Sequence, residues 1–500
     1  MTSLASTIAA DIQPDKHSAI PAKLGCALML AALADWLFYG ERIGLSLTLF
    51  AIVIAGVSLF FNHAALDLRR AVIGSVILVA GLVPAVDELN TLSFLILIAS
   101  LTIALLLVTN AETTDLADRA RAIRNFVLFG PFRLFPEALQ IFNISAFTRG
   151  VALWLLPATL GAVFVALFAA ANPVIEQWIS LLNPKVALEY VRVWRVLFWV
   201  LMLALVWPFI HVRWRRRKVV MPAAADEPVP PPLPPFVSAE FLGPATVLRS
   251  LILFNLLFAA QSVLDGLYLW GRVALPDNMT YAAYAHRGAY PLIATALLAA
   301  AFVLVAMRPG GPAEQSKVIR PLVYLWVGQN VLLVASSILR LDLYVDIYML
   351  TYWRVAAFIW MGLVALGLIL IVARIALNRS NRWLISANLI ALTAVLYGAS
   401  LVNFDAFIAD YNVSHSSETS GKGVSIDANY LLTLGPQALP ALDKVIAHRP
   451  GDDCLARRRD RLVETQRLDM EWRAWGVRSW RLQRRLDALA RRPRDSQPAG

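Results

Sequence analysis

The sequence is short of charge. Asp, Glu, Lys and Arg make up 16% of its 500 residues and hydrophobic residues 59%, where soluble domains carry roughly 25% charge. A water-soluble globule cannot hide that much apolar side chain. Cysteine is nearly missing: Cys26 lies in the first apolar run and Cys454 in the tail, so neither a disulfide framework nor a thiolate metal site is expected. The apolar runs lack strict apolar/polar alternation, which argues against a β-barrel. Soluble catalytic motifs are missing too. There is no Walker loop, no Gly-rich dinucleotide turn, no paired His at metal spacing and no Gly-x-Ser-x-Gly elbow. No cofactor and no metal are therefore expected, and His63 and His211 stand alone at the ends of apolar runs.

What the chain has instead is a series of long apolar stretches. They lie near 22–39, 43–61, 70–86, 91–109, 151–171, 194–212, 246–268, 288–307, 321–340, 354–375 and 383–402. A bilayer core needs about 20 apolar residues per helix, so these read as transmembrane helices. The first holds Asp35 and reads as a retained span; the third is short and ends at Pro84. The expected fold is all-α: a polytopic transmembrane helix bundle of about eleven spans with a small C-terminal helical extramembrane domain.

The arginines set the expected orientation, because short cytoplasmic loops collect Lys and Arg. Arg69 and Arg70 precede the third span. Arg119, Arg121, Arg124 and Arg133 follow the fourth, Arg213, Arg215, Arg216, Arg217 and Lys218 the sixth, Arg308, Lys317 and Arg320 the eighth, and Arg374, Arg379 and Arg382 the tenth. The alternate gaps are poor in basic residues, as at Asp87-Glu88. The N-terminus is then cytoplasmic and the C-terminus periplasmic in a bacterial inner membrane. The basic residues sit at membrane borders or in the outside tail, so the expected partner is the lipid bilayer and not nucleic acid; the oligomeric state is not legible.

Four regions follow: a bundle of about six spans over 1–218, a linker with seven prolines over 219–236, a bundle of about five spans over 237–402, and a tail domain over 403–500. Proline at that density favours an extended spacer. Residues 115–149 mix Arg with Phe and suit the inner surface, and 174–192 suit the outer one. In the tail, Leu468, Trp472, Trp475, Leu482, Leu486 and Leu489 recur at three- and four-residue steps. They predict an amphipathic helix of about six turns that either rests on acidic headgroups or caps the tail domain.

With this orientation, polar residues spread over about 150 positions gather at one outer rim. They are Asp265; His286, Arg287 and Tyr290; Arg340, Asp342, Tyr344, Asp346 and Tyr348; Tyr352, Trp353 and Arg354; and Asn403, Asp405, Asp410 and Tyr411. Charges at a bilayer edge are costly unless paired or hydrated. Asp342, Asp346 and Asp265 are natural partners for Arg340, Arg354 and Arg287. One reading of the rim is an ion-pair network tying helix ends together. The other is an open pocket for a lipid-linked or small anionic ligand, with Arg holding the anion and Asp acting as a base or metal ligand. Deeper in the bilayer, Asn255 and Gln329 are placed to bond across helices.

Tyr284-Ala-His-Arg-Gly288, Arg340-Leu-Asp-Leu-Tyr-Val-Asp-Ile-Tyr348, Leu350-Thr-Tyr-Trp-Arg354 and Asn403-Phe-Asp-Ala-Phe-Ile-Ala-Asp-Tyr-Asn412, with Asp427-Ala-Asn-Tyr-Leu431, Leu439-Pro-Ala-Leu442 and Glu471-Trp-Arg-Ala-Trp475, carry a family likeness. Together they make the C-terminal half resemble a bacterial membrane family catalogued as domain of unknown function 4173, related to the 4153 group. The resemblance covers roughly 245–490 and implies a many-spanning inner-membrane protein without an assigned activity. Three functions remain open: a binding, sensing or scaffold component; a transferase or hydrolase for a lipid-linked substrate, motivated by Asp35, Glu41, Arg42 and the rim aspartates; and a transporter, disfavoured by the lack of a polar path across the bilayer.

Overall fold

The computed structural model describes residues 19–62, 67–109, 193–211, 244–267, 316–421 and 423–491, together with 121, 123–134 and a few positions between 157 and 164. Every regular element among the described residues is helical. Eight of these helices are long and apolar enough to cross a membrane. They leave large side chains such as Met29, Val76, Leu95 and Ile390 exposed. In water such surfaces would be aggregation sites; in lipid they need no cover. The chain is an integral membrane protein. The expected span at 288–307, nearly all of 151–171, the linker, and His63, His286, Arg287 and Tyr290 lie outside the described residues.

Two compact units divide the chain: residues 1–218 with 467–500, and residues 219–466. The tail is thus shared between them.

The first unit contains α1 (Ala19–Phe38), α2 (Leu45–Asn62), α3 (Leu68–Asp87), α4 (Thr91–Thr109) and α5 (Val193–Ile210). The short third run proves to be a full helix. It starts at an N-cap, where the Asp67 side chain accepts from the Arg69 N–H, and continues past Pro84 because Glu88 N–H still reaches the Pro84 carbonyl. α1 and α5 are antiparallel, with Lys23 beside His211 at one end and Asp35 bonded to Arg195 at the other. Their core holds Ala27, Leu30, Phe50, Leu101 and Trp207. Near the end of α5, a π-helical turn (Asn125–Phe129) sets Phe126 edge-on against Phe209, and Leu134 is buried in the same core. This is the described part of the Phe-rich 115–149 segment.

The second unit contains α6 (Pro244–Asp265), α7 (Ile319–Tyr348), α8 (Tyr352–Ala376) and α9 (Asn381–Leu401). Val247, Leu251, Ile319, Val323, Trp326 and Leu368 form its membrane core. Asn255 donates to the Leu322 carbonyl and Gln329 to the Asn255 carbonyl, as the sequence suggests. α6 and α7 are parallel, since Asn255, midway along α6, meets Leu322 near the start of α7, and Asp265 at the end of α6 meets Arg340 late in α7. Beyond the last apolar helix lie α10 (Phe404–Ser414), α11 (Ser417–Ser420), α12 (Ala428–Thr433), α13 (Leu439–His448) and α14 (Asp453–Leu468). They bury Ile408, Val413, Leu431, Leu442 and Leu455 together with Val345 and Leu350 from the ends of the membrane helices.

The tail helix is broken, contrary to its sequence periodicity. α14 stops at Leu468 and α15 spans Val477–Ala490. The residues between them are held by other contacts. Backbone carbonyls of Arg473 and Trp475 accept from Ser46 and Leu45, so they cap the start of α2 instead of continuing a helix. Orphan N–H groups at a helix start need acceptors, and here the tail supplies them. Gly44 and Gly476 make the approach possible. A Cβ at Gly44 would lie 2.2 Å from the Ala474 carbonyl oxygen, and one at Gly476 3.0 Å from that of Asp87.

Candidate functional site

The distal end of each bundle, away from its arginine-rich loops, is where the candidate residues fall. In the second unit this follows from the length of α7. Its 30 residues rise ~45 Å, while the hydrocarbon core is ~30 Å thick. The last three turns, which carry Arg340, Asp342, Tyr344, Asp346 and Tyr348, extend past the apolar layer.

Arg340 does not pair with Asp342. Its guanidinium bonds Asp265 on α6, and their side chains are 5% and 2% exposed. Gln261 donates to the same carboxylate oxygen at 2.9 Å. Position explains the choice. Asp342 lies two residues along α7 and points elsewhere, whereas Asp265 faces Arg340 across the helix pair. Breaking such a buried pair leaves a bare charge, at a cost of about 3–5 kcal/mol.

Arg354 does not pair with Asp346 either. It donates to the carbonyls of Tyr348 and Met349 and lies 4.5 Å from the centre of the Tyr344 ring. Those carbonyls belong to the last turn of α7, where a cation meets the negative end of the helix dipole. Met349 turns the chain with φ +65°. The turn is clamped by Asn412, which accepts from Leu350 N–H at 2.7 Å and donates to its carbonyl at 2.9 Å. Asn412 is buried, so this reciprocal pair binds α10 to the α7–α8 turn.

The other rim residues are mostly committed to structure. Asn403 caps α10 by accepting from Ala406 N–H and donates to Gln437. Tyr352 N–H donates to the Tyr430 hydroxyl. Burial pushes the Tyr430 phenol up, the Tyr352 N–H and Arg354 pull it back, and Asp405 raises it further. Asp410 pairs with Lys444 at 2.7 Å. Asp342 and Asp346 are exposed, one turn apart and without an ion-pair partner among the described residues. Burial, and then the charges of Asp346 and Asp342, raise the Tyr411 phenol above its ordinary value.

In the first unit, the three residues singled out near the end of α1 are all engaged. Asp35 is held by Arg195 at 2.9 Å, Glu41 by Arg473 at 2.9 Å, and Arg42 by Asp469 at 2.7 Å. Arg478, 5% exposed, bonds both Asp87 and Glu88 at 2.6 Å. Arg473 also lies 5.1 Å from the ring centres of Trp36 and Trp472, which pack on one another. Sequence reasoning missed Arg195, Asn412, Arg473 and Arg478. Arg195 left a trace, since a cation inside an apolar run calls for a buried acid. The others left none, because their partners are hundreds of residues away or are backbone atoms. No group of His, Cys, Asp and Glu fit to hold a metal occurs among the described residues.

The family model described as Domain of unknown function (DUF4153) matches residues 74–445. The chain belongs to this family. The match reaches well into the first bundle, further than the C-terminal motifs alone suggest. No curated relative and no solved structure matches the chain.

Proposed function

We propose that this DUF4153 protein is a non-enzymatic binding or scaffold component of a bacterial inner membrane, whose membrane helices carry a rigid periplasmic helical platform. The observation that carries this reading is the fate of the rim. Arg340, Arg354 and Asn403 are spent on helix ends, carbonyls and a cap, and Asn412 locks α10 onto the turn those residues surround. A rim built this way holds a surface in place. Among the described residues it offers no rim arginine to an incoming anion.

The orientation belongs to the same reading. α10–α14 lie beyond the distal end of the second bundle, and the basic gaps would be cytoplasmic. A reporter fused after Gly500 that is active only in the periplasm is the expected result; cytoplasmic activity would overturn the orientation. For the platform role, photo-crosslinkers on the exposed faces of α13 and α14 should capture one discrete partner. Turnover of a lipid-linked substrate by the pure protein would sink the non-enzymatic reading.

A second reading, a lipid-linked transferase or hydrolase, is favoured only by Asp342 and Asp346, the exposed rim carboxylates without partners among the described residues. It predicts loss of phenotype complementation on Asp342→Asn with Asp346→Asn at normal protein levels. Full complementation by that variant removes it.

A further inference from the structure

We infer that α15 is a binding surface for anionic phospholipid headgroups. Every described arginine that holds the first unit's tail or the ends of its helices has a carboxylate: Arg42, Arg195, Arg473 and Arg478 are all in ion pairs. Arg481, Arg484 and Arg485 are different. They are exposed on one side of α15 and have no carboxylate partner among the described residues. The acid on that helix, Asp487, is engaged by Gln483 at 2.9 Å. Trp480 is exposed in the same row, with Arg484 4.9 Å from its ring centre.

The anchoring of α15 sets its depth. Its inner face buries Arg478 and Leu482, and Arg478 is tied to Asp87 and Glu88, where α3 leaves the apolar layer. Just before it, Trp472 packs on Trp36 in the last turn of α1. Tryptophan at both membrane ends marks headgroup level. The free arginines are thus held at the height of lipid phosphates, with charge and hydrogen-bonding geometry that suit phosphate. Each basic side chain near an anionic surface contributes about 1 kcal/mol. The inference depends on α1 and α3 being membrane helices, and holds for either leaflet.

The test uses the full chain in nonionic detergent, with phosphatidylglycerol, phosphatidylethanolamine or inorganic phosphate added. Phosphatidylglycerol should raise the melting midpoint and be retained through purification more than phosphatidylethanolamine. Inorganic phosphate should do neither. Changing Arg481, Arg484 and Arg485 together to Gln should weaken phosphatidylglycerol binding at least ~10-fold, with the lipid-free midpoint unchanged, and Lys at all three should preserve binding. In the unmodified protein the phosphatidylglycerol advantage should vanish at high salt. Equal effects of the two lipids, an equal effect of inorganic phosphate, a Gln variant that still prefers phosphatidylglycerol, or an advantage that survives high salt would each overturn the inference. The comparison of the two lipids and inorganic phosphate on the unmodified protein decides the matter even if the Gln variant fails to fold.

Discussion

The two units attach an extramembrane segment to membrane helices in opposite ways. In the first, a short tail peptide is held by charges: Arg478 to Asp87 and Glu88, Arg473 to Glu41, and Asp469 to Arg42. Backbone capping of α2 adds to this, and little apolar surface is involved. In the second, α10–α14 share an apolar core with Val345 and Leu350, and one neutral clamp, Asn412, fixes the turn. The difference follows from size. A segment of some twenty residues cannot bury enough apolar surface to dock by the hydrophobic effect, so it relies on ion pairs made where water is partly excluded. A helical domain can build its own core. The first attachment should therefore respond to salt and the second should not.

The largest effect tests the buried charge of the second unit. Arg340→Ala should cost about 3–5 kcal/mol, because Asp265 is left charged and nearly dry. Adding Asp265→Asn should recover much of that loss, measured as the melting midpoint in detergent. A single variant that melts like the parent would mean the pair carries no weight. Next come the two attachments. Arg478→Ala should cost about 2–3 kcal/mol, less than a fully buried pair because its acids are partly hydrated. It should expose the 469–476 segment to protease while α10–α14 stay resistant. Asn412→Ala should cost about 1–3 kcal/mol by stranding the Leu350 amide and carbonyl, with the reverse protease pattern. High salt should mimic the first variant and leave the second attachment intact. If salt loosens both, the contrast between the units collapses.

The smallest effect concerns pH. Burial pushes the Glu418 carboxyl up, but Arg449 and the N–H groups of Glu418 and Ile426 outweigh it and hold the group below its ordinary value of 4.5. A depressed carboxyl stabilises the fold above that ordinary value, and the contribution fades as pH falls below it. Glu418→Gln should therefore flatten the acid limb of the melting-point curve by lowering the midpoint modestly at neutral pH and changing little well below pH 4.5.

Much of this protein was legible before folding. Apolar runs of about 20 residues have one stable form in lipid, because every backbone N–H and C=O must bond within the segment. That is why nine of the expected spans coincide with described helices and why α7 carries its polar residues beyond the apolar layer. Asn255 and Gln329 were readable for the same reason, since a polar amide deep in a bilayer has to find a neighbouring helix. The pairing of Arg340 was not readable. Asp342 is close in sequence but faces away, and only the register of α6 against α7 puts Asp265 opposite. The tail was misread because three- and four-residue spacing records which side chains are apolar. It does not record that the carbonyls of Arg473 and Trp475 would be taken by α2, which interrupts the helix.

The sequence by itself determined the membrane class, the positions of the apolar helices and the family, since each rests on local composition or short motifs that a bilayer reads directly. Tertiary structure decided which arginine meets which acid, where the tail breaks, and which arginines on α15 are left over. Those outcomes depend on distances between residues far apart in the chain, and helix packing alone sets such distances.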